Sequence, residues 1–397
     1  MAKVKLAPGR VKPVWAGHPW VYAQAIAGIE GAPGPGDAVD VVDPKGNFLG
    51  RGYYSPDSAI PVRILSRDEG EAIDEIFLGR RMDAALAFRR RLNLPSSADS
   101  SEPTTGYRLI HAEGDGLAGL VVDVFGDCAV VQLRTAGMKR REDAVFAHVQ
   151  RVTGAASILE GAASLKRSEG FDAEWRAVRG NRLAGLRFFE RGFDIEVPRA
   201  VSQKTGYYFD QRDTRAKVES LARGARVLDA YAFMGGMGLA AARGGAESVL
   251  SVDSSAPAIA AASAVAKRNR LEVTFRKEDV KKLLPALFQR GERFDLVVID
   301  PPKLAPTRRH RSAGMRAYAK LNENAARLVK DDGILVSCSC SAALSMRDLL
   351  HVVGGAASRS HRRAEVFHLA YASSDHPVPA AFHEGRYLKA VFARLVP

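Results

Sequence analysis

From about residue 191 to its end, the chain alternates short apolar runs with helix-like segments. The runs Arg226-Val-Leu-Asp229, Glu247–Asp253, Val273-Thr-Phe-Arg276, Phe294–Ile299 and Gly333-Ile-Leu-Val336 are too short for helices and rich in β-branched residues. This alternation predicts βαβ units around a parallel sheet, which leaves few alternative architectures. In an open α/β sheet, chemistry gathers at the carboxyl ends of the strands. Two of the runs end in unusual stretches: Asp300-Pro-Pro-Lys303 follows the fourth, and Ser337-Cys-Ser-Cys340 follows the fifth.

At 397 residues the chain is longer than one core accommodates, so two or three domains are expected. Residues 1–72 are rich in Gly and Pro, with β-like runs such as Ala38–Val42 and Ile60–Ile64. Turn signals recurring about every 8–12 residues predict a small β-rich barrel. Residues 73–190 open on a charged amphipathic helix, read as Ala72 to Leu92, followed by a Ser-rich linker, Pro95–Pro103. Hairpin-like segments come next, at Tyr107–Ile110, Leu120–Phe125 and Ala129–Leu133, giving a central mixed α/β domain. Residues 191–397 form the α/β domain with the parallel sheet.

Composition narrows the function classes. The chain is 46% hydrophobic, and no stretch of 18 uncharged apolar residues occurs, which argues against a membrane-spanning helix. Met1–Arg10 lacks a signal-peptide apolar core, so a cytoplasmic location is expected. Three cysteines, Cys128, Cys338 and Cys340, exclude a disulfide scaffold and a four-cysteine zinc site. Histidines are scattered without ligand spacing, so no metal is expected. The net charge of +13 favours a polyanionic partner. Local clusters, Arg89–Arg91, Lys139–Arg141, Arg308–Arg311 and His361–Arg363, strengthen a nucleic-acid reading, although a solvated arginine loop is the plainer account of each.

The acids and glycines of the last domain fall at strand ends. The first run leads into Ala230-Tyr-Ala-Phe-Met-Gly-Gly-Met-Gly238, where glycines let the backbone approach a ligand before a helix begins. Asp253 closes the second run and suits the two hydroxyls of a ribose. Asp279 follows the third and suits an adenine amino group. The turn lacks the G-x-G-x-x-G spacing of a dinucleotide site, and the ordered set Asp229, Gly235, Gly236, Gly238, Asp253, Asp279 and Asp300 favours S-adenosylmethionine (SAM) over a phosphate-bearing nucleotide. N-capping of the following helices would account for the same acids.

Lys204-Thr-Gly-Tyr-Tyr-Phe-Asp-Gln-Arg-Asp-Thr-Arg215, Asp300-Pro-Pro-Lys303, Ser337-Cys-Ser339 and Asp375-His-Pro377 resemble motifs of the bacterial large-subunit (23S) rRNA cytosine-C5 methyltransferases. So do His18-Pro-Trp-Val21 and Ala112–Leu120. The resemblance covers nearly the whole chain. It implies an N-terminal PUA domain, a central α/β domain and a C-terminal Rossmann-like class I methyltransferase domain that uses SAM. It implies a cofactor pocket shaped by Tyr208, Asp210 and Gln211, with ribosomal RNA as partner and Cys338 as nucleophile. Met234 stands where a threonine is usual, Ser202 where a glycine is, and Leu304 where an aromatic is. The sequence is compatible with a homo-oligomer and does not specify one.

C5 of cytosine is a poor nucleophile, and a thiolate adding to C6 gives it carbanion character. A free thiol has a pKa of about 8.5, so the thiolate needs stabilisation near neutrality. Asp300 would hold the base edge, Pro301 would present its backbone carbonyl, and Lys303 would steady a phosphate or the ring carbonyl. A core-filling role is the plain alternative for Cys338, and the favoured one for Cys340. Two competing readings are a base N-methyltransferase, which needs no thiol, and a non-catalytic RNA-binding module of ribosome assembly.

Overall fold

The computed structural model of the chain describes residues 1–96, 100–181, 185–202 and 205–397. Part of the Ser-rich linker, and Lys204 of the 204–215 motif, lie outside the described residues. The chain forms two compact units, Met1–Phe209 with Ser374–Gly385, and Asp210–Ser373 with Arg386–Pro397. Among the described residues no helix is long and apolar enough to cross a membrane.

The first unit opens with a six-stranded sheet, in the order Trp20–Val21, Val62–Ser66, Phe48–Tyr54, Ala38–Val42, Ala2–Leu6, Ile26–Glu30. Ala38–Val42 has the bounds expected from sequence. The run expected from Ile60 begins instead at Val62, because Pro61 has no N–H to give a ladder. The Pro61 carbonyl accepts from the Ser55 N–H at 2.8 Å. Val4, Leu6, Val21, Val39, Val41 and Val62 form this sheet's core.

A five-stranded sheet follows, ordered Arg176–Arg179, Ser157–Glu160, Cys128–Leu133, Leu120–Phe125, Gly106–His111. Helices Glu75–Arg91 and Glu142–Thr153 pack on each other and on this sheet. The first helix starts after the expected Ala72, because Asp74 caps it, accepting from the Phe77 N–H at 2.9 Å. Arg89, counted above in a basic cluster, is fully buried. Its guanidinium donates to both Asp115 oxygens at 2.5 and 2.7 Å and to the Arg108 carbonyl at 2.9 Å. A helix that is basic in sequence thus turns one cation inward to a bidentate partner.

The second unit is built on a seven-stranded sheet, here β1 (Arg226–Ala230), β2 (Ser248–Asp253), β3 (Thr274–Lys277), β4 (Phe294–Ile299), β5 (Val329–Ser339), β6 (Arg363–Tyr371) and β7 (Lys389–Val396). The order is β3-β2-β1-β4-β5-β7-β6, parallel except that β7 runs antiparallel to both its neighbours. The chain steps outward from β1 to β3 and then resumes on the other side of β1 with β4. That reversal is the topological switch point at which α/β sheets open a crevice. Leu228, Ala230, Val297, Ile299 and Leu335 pack one face, and Val227, Leu296, Val298 and Val336 the other.

Helix Gly236–Arg243 leaves the end of β1 under tight steric control. A Cβ on Gly238 would lie 2.1 Å from Ser251 Oγ, so only glycine fits there. The Gly238 N–H donates to Asp229 Oδ2 at 2.9 Å, and the Ser251 hydroxyl donates to the same oxygen at 3.3 Å. Burial nevertheless dominates and pushes the Asp229 carboxyl up to about 7.

Two outcomes follow for stability. Arg89→Met strands the Asp115 carboxylate and is expected to destabilise the first unit by about 3–5 kcal/mol, measured by urea unfolding. Asp229 is protonated more readily folded than unfolded, so its contribution is full below about pH 4 and is lost as pH rises to about 7. Asp229→Asn keeps an acceptor for Gly238 without the charge. Relative to wild type, its urea midpoint is therefore expected to be higher at pH 8 than at pH 5.

Candidate active site

β1 and β4 end level, with Ala230 opposite Ile299, while β5 passes Ile299 at Ser337 and runs two residues further, to Ser339. Asp300 follows immediately, and its N–H donates to the Ala230 carbonyl at 3.2 Å. Gln211, at the N-cap of helix Arg212–Leu221, donates from Nε2 to Asp300 Oδ2 at 2.8 Å, and its amide acts to lower the Cys338 thiol. Asp210 beside it is buried; its Oδ2 accepts from Tyr387 Oη at 2.5 Å and its carbonyl from the Ser373 N–H at 2.9 Å. The structure therefore brings Gln211, Asp300 and Cys338 together, with Asp229 close enough for its charge to act on the thiol.

A second group lies around the β1 turn. Tyr231, Phe233 and Gly235 all have positive φ, 66°, 49° and 71°. Two non-glycine residues in the left-handed region cost of order 1–3 kcal/mol each and need outside support. Asp253 supplies it at the end of β2: Oδ2 accepts from the Phe233 N–H at 2.9 Å and Oδ1 from the Ser255 N–H at 2.8 Å. Asp279 is exposed after β3 and caps helix Val280–Gln289 through the Lys281 N–H at 2.9 Å. The capping role weighed from sequence therefore holds for Asp279, whose carboxylate still faces solvent. The Tyr231 phenol is pushed up to about 12, first by burial and then by the charges of Asp279 and Asp253. That places Tyr231 beside both acids, which sequence reasoning had not singled out.

The two cysteines are not equivalent. Cys338, expected just after its strand, lies inside β5, because β5 extends to Ser339. It is fully buried among Val218, Val298, Val336, Ala390 and Phe392. Burial first, then the Asp300 charge, pushes its thiol well above the usual range; the Gln211 amide opposes this. Cys340 stands beyond the strand end and is half-buried. Its flanking serines are tightly held: Ser339 Oγ donates to Tyr318 Oη at 3.0 Å, and Ser341 Oγ lies 3.2 Å from the same phenol. Ser341 Oγ also accepts from the Ala305 N–H at 3.1 Å, tying this turn to the one that begins at Asp300. Buried Lys389 donates to the carbonyls of Ser341 at 2.9 Å and Leu344 at 2.6 Å. Its ammonium is lowered to about 8, chiefly by burial, while the Cys340 charge acts the other way. Lys389 went unnoticed in the sequence, although a lone cation inside Leu388-Lys-Ala-Val-Phe392 is a readable signal.

Of the remaining expected residues, Pro301 is buried and Lys303 exposed, while Tyr208 is a half-buried residue of the first unit. Asp375 and His376 are buried in the first unit, with Asp375 Oδ2 accepting from the Arg108 N–H at 2.9 Å and Oδ1 lying 2.9 Å from His376 Nδ1. The basic clusters differ sharply. Lys139 pairs with Glu142 and Glu160, Arg140 with Asp37, and Arg141 stacks over Tyr53. Arg308 and Arg309 are exposed and, among the described residues, have no ion-pair partner; Arg311 pairs with Asp348 at 2.6 Å.

The residues around β1 suit SAM on this structure's own terms. The half-buried Asp253 retains free lone pairs, and the Tyr231 ring stands beside Asp253 and Asp279. Comparison with known proteins agrees. Residues 4–67 match a PUA-like domain, and residues 119–369 match the S-adenosylmethionine-dependent methyltransferase family. The chain is 35% identical to ribosomal RNA large subunit methyltransferase I of Erwinia tasmaniensis, over 98% of each. It is 34% identical to the protein of that name in Escherichia coli K12, over 99% of each. Among solved structures, a methyltransferase in complex with SAH superposes with a TM-score of 0.85 at 19% identity, covering 99% of this chain and 100% of that one. A SAM-dependent methyltransferase from Streptococcus mutans gives 0.83 at 18% identity with the same coverage, a likeness of fold. With a PUA-like domain at its start, a class I sheet whose strand ends suit SAM, and relatives of its own length throughout, the chain belongs to the family of S-adenosylmethionine-dependent methyltransferases, alongside the ribosomal RNA large subunit methyltransferase I proteins.

Proposed function

We propose that the protein methylates ribosomal RNA of the large subunit in the cytoplasm, at C5 of a cytosine. The observation that carries this reading is the junction of the Asp300-Pro-Pro-Lys303 turn with a thiol-bearing turn on the adjacent strand, joined through Ala305 and Ser341. Transfer to an exocyclic amine needs no thiol, whereas C5 of cytosine does.

Asp253 would hold the ribose of SAM, Asp279 and Tyr231 would meet its adenine, and Gly235, Gly236 and Gly238 would admit its backbone-facing side. When bound, SAM supplies an electrophilic methyl group. Asp300, kept in place by the Gln211 amide, orients the N3/N4 edge of the base beside the strand ends. Lys303, exposed one turn away, meets a phosphate or the ring carbonyl. A thiolate of the Ser337-Cys-Ser-Cys340 stretch adds to C6. Exposed Arg308 and Arg309 follow on the same loop and would neutralise backbone phosphates. The target base must leave any stack to reach these strand ends. We retain 1–72, 73–190 and 191–397 as the functional domains, the first two gripping structured RNA by shape and phosphate contacts.

Nucleoside mass spectrometry on unmodified large-subunit rRNA incubated with protein and SAM is expected to give 5-methylcytidine. A methylated purine instead would refute the proposal. In calorimetry, Asp253→Ala is expected to weaken SAM binding about 10–100-fold, the cost of losing hydrogen bonds to a charged acceptor.

A further inference from the structure

Within the reading that Asp300 orients the target base, on which this inference rests, one question is what keeps the Gln211 amide on that carboxylate. By position Gln211 is the N-cap of helix Arg212–Leu221, and its side chain cannot serve both the helix and Asp300. We infer that Ser373, two residues beyond β6, caps this helix in place of Gln211 and is thereby the positioning residue that holds the Gln211 amide on Asp300.

A helix leaves its first N–H groups without partners inside the helix, and the N-cap side chain ordinarily accepts from the second or third. Among the described residues the Gln211 side chain makes no such bond. The Asp213 N–H, second in the helix, donates instead to Ser373 Oγ at 2.9 Å, from 160 positions away in the chain. A hydroxyl oxygen is the acceptor that N-caps commonly use, here supplied from outside the helix.

That hydroxyl is fixed in place. It donates to the Asp210 carbonyl at 3.0 Å, and the Ser373 N–H donates to the same carbonyl at 2.9 Å. Ser373 is only 1% exposed, so water does not compete for the cap. Asp210, whose residue type caps well, is engaged elsewhere: its Oδ2 accepts from Tyr387 Oη at 2.5 Å.

The Gln211 amide shows what the arrangement protects. Its Nε2 donates to Asp300 Oδ2 at 2.8 Å, while its Oε1 is buried and has no hydrogen-bond partner among the described residues. If the Ser373 hydroxyl is removed, that oxygen is the acceptor left for the Asp213 N–H, since a buried N–H demands a partner. Turning Oε1 to the helix withdraws Nε2 from Asp300. The carboxylate then loses the donor that fixes its orientation, and a base held on it loses its alignment with the methyl donor.

Ser373→Ala tests this. Its kcat for methyl transfer to large-subunit rRNA is expected to fall about 10–100-fold with KM for RNA unchanged, as misalignment at the reacting centre demands. An unchanged kcat would overturn the inference. In a Gln211→Ala background no amide remains to be recruited, so adding Ser373→Ala should lower kcat no further. A second, additive loss would mean that Ser373 serves the fold alone. Two readouts need no turnover. In wild type the Asp213 amide should be protected from hydrogen exchange despite its place in the first turn; free exchange would remove the cap. In protein labelled with 15N-glutamine, the Gln211 side-chain resonance, identified by its loss in Gln211→Ala, should move in Ser373→Ala as it does in Asp300→Ala. An unmoved resonance would likewise overturn the inference. Failure of the C5 reading is separate: a methylated purine, or no product, from wild type rejects that reading, while the resonance still decides whether Ser373 holds Gln211 on Asp300.

Discussion

The parallel register that sets Ile299 between Ala230 and Ser337 is the constraint from which the site follows. Because β1 and β4 end at one level and β5 passes it by two residues, whatever succeeds them emerges at the same edge. Asp300 leaves β4 there, Tyr231 begins the glycine turn from β1, and β5 carries the two cysteines to that height. A shift of two residues in β5 would exchange the surroundings of Cys338 and Cys340. Register is strongly determined here because both faces of the sheet are apolar and packed under helices.

Around that edge the chain places strain and charge where ordinary packing would not tolerate them. Two non-glycine residues adopt left-handed backbone in the β1 turn, and Asp253 compensates by accepting from the Phe233 N–H. Asp229 sits wholly buried, offset by the Gly238 and Ser251 donors. Lys389 is buried with carbonyls in place of a counter-ion. Preorganisation of this kind is what a site needs if hydrogen bonds are to be in place before the substrate arrives.

The basic residues show how little a charge count says about location. Lys139, Arg140 and Arg141 read as one cluster with Arg308 and Arg309 on charge alone, yet the former are held by Glu142, Glu160, Asp37 and Tyr53. Arg89 is an interior residue of the first unit. The arginines that follow the Asp300 turn are exposed, and they lie where phosphate contacts would serve a base held at the strand ends.

By itself, the sequence determined the alternating architecture, a β-rich start and the acids at successive strand ends, because apolar periodicity and turn chemistry are local properties, while the resemblance of its motifs implied the PUA domain and the family. It also determined that a thiol would stand near Asp300. It could not determine which thiol is accessible, since one residue more or less of strand decides the face and only pairing with β4 and β7 sets where β5 ends. Nor could it bring Lys389, Tyr318 and Gln211 to that turn. Those contacts join residues more than 20 positions apart, and they exist only once the sheet has closed in register.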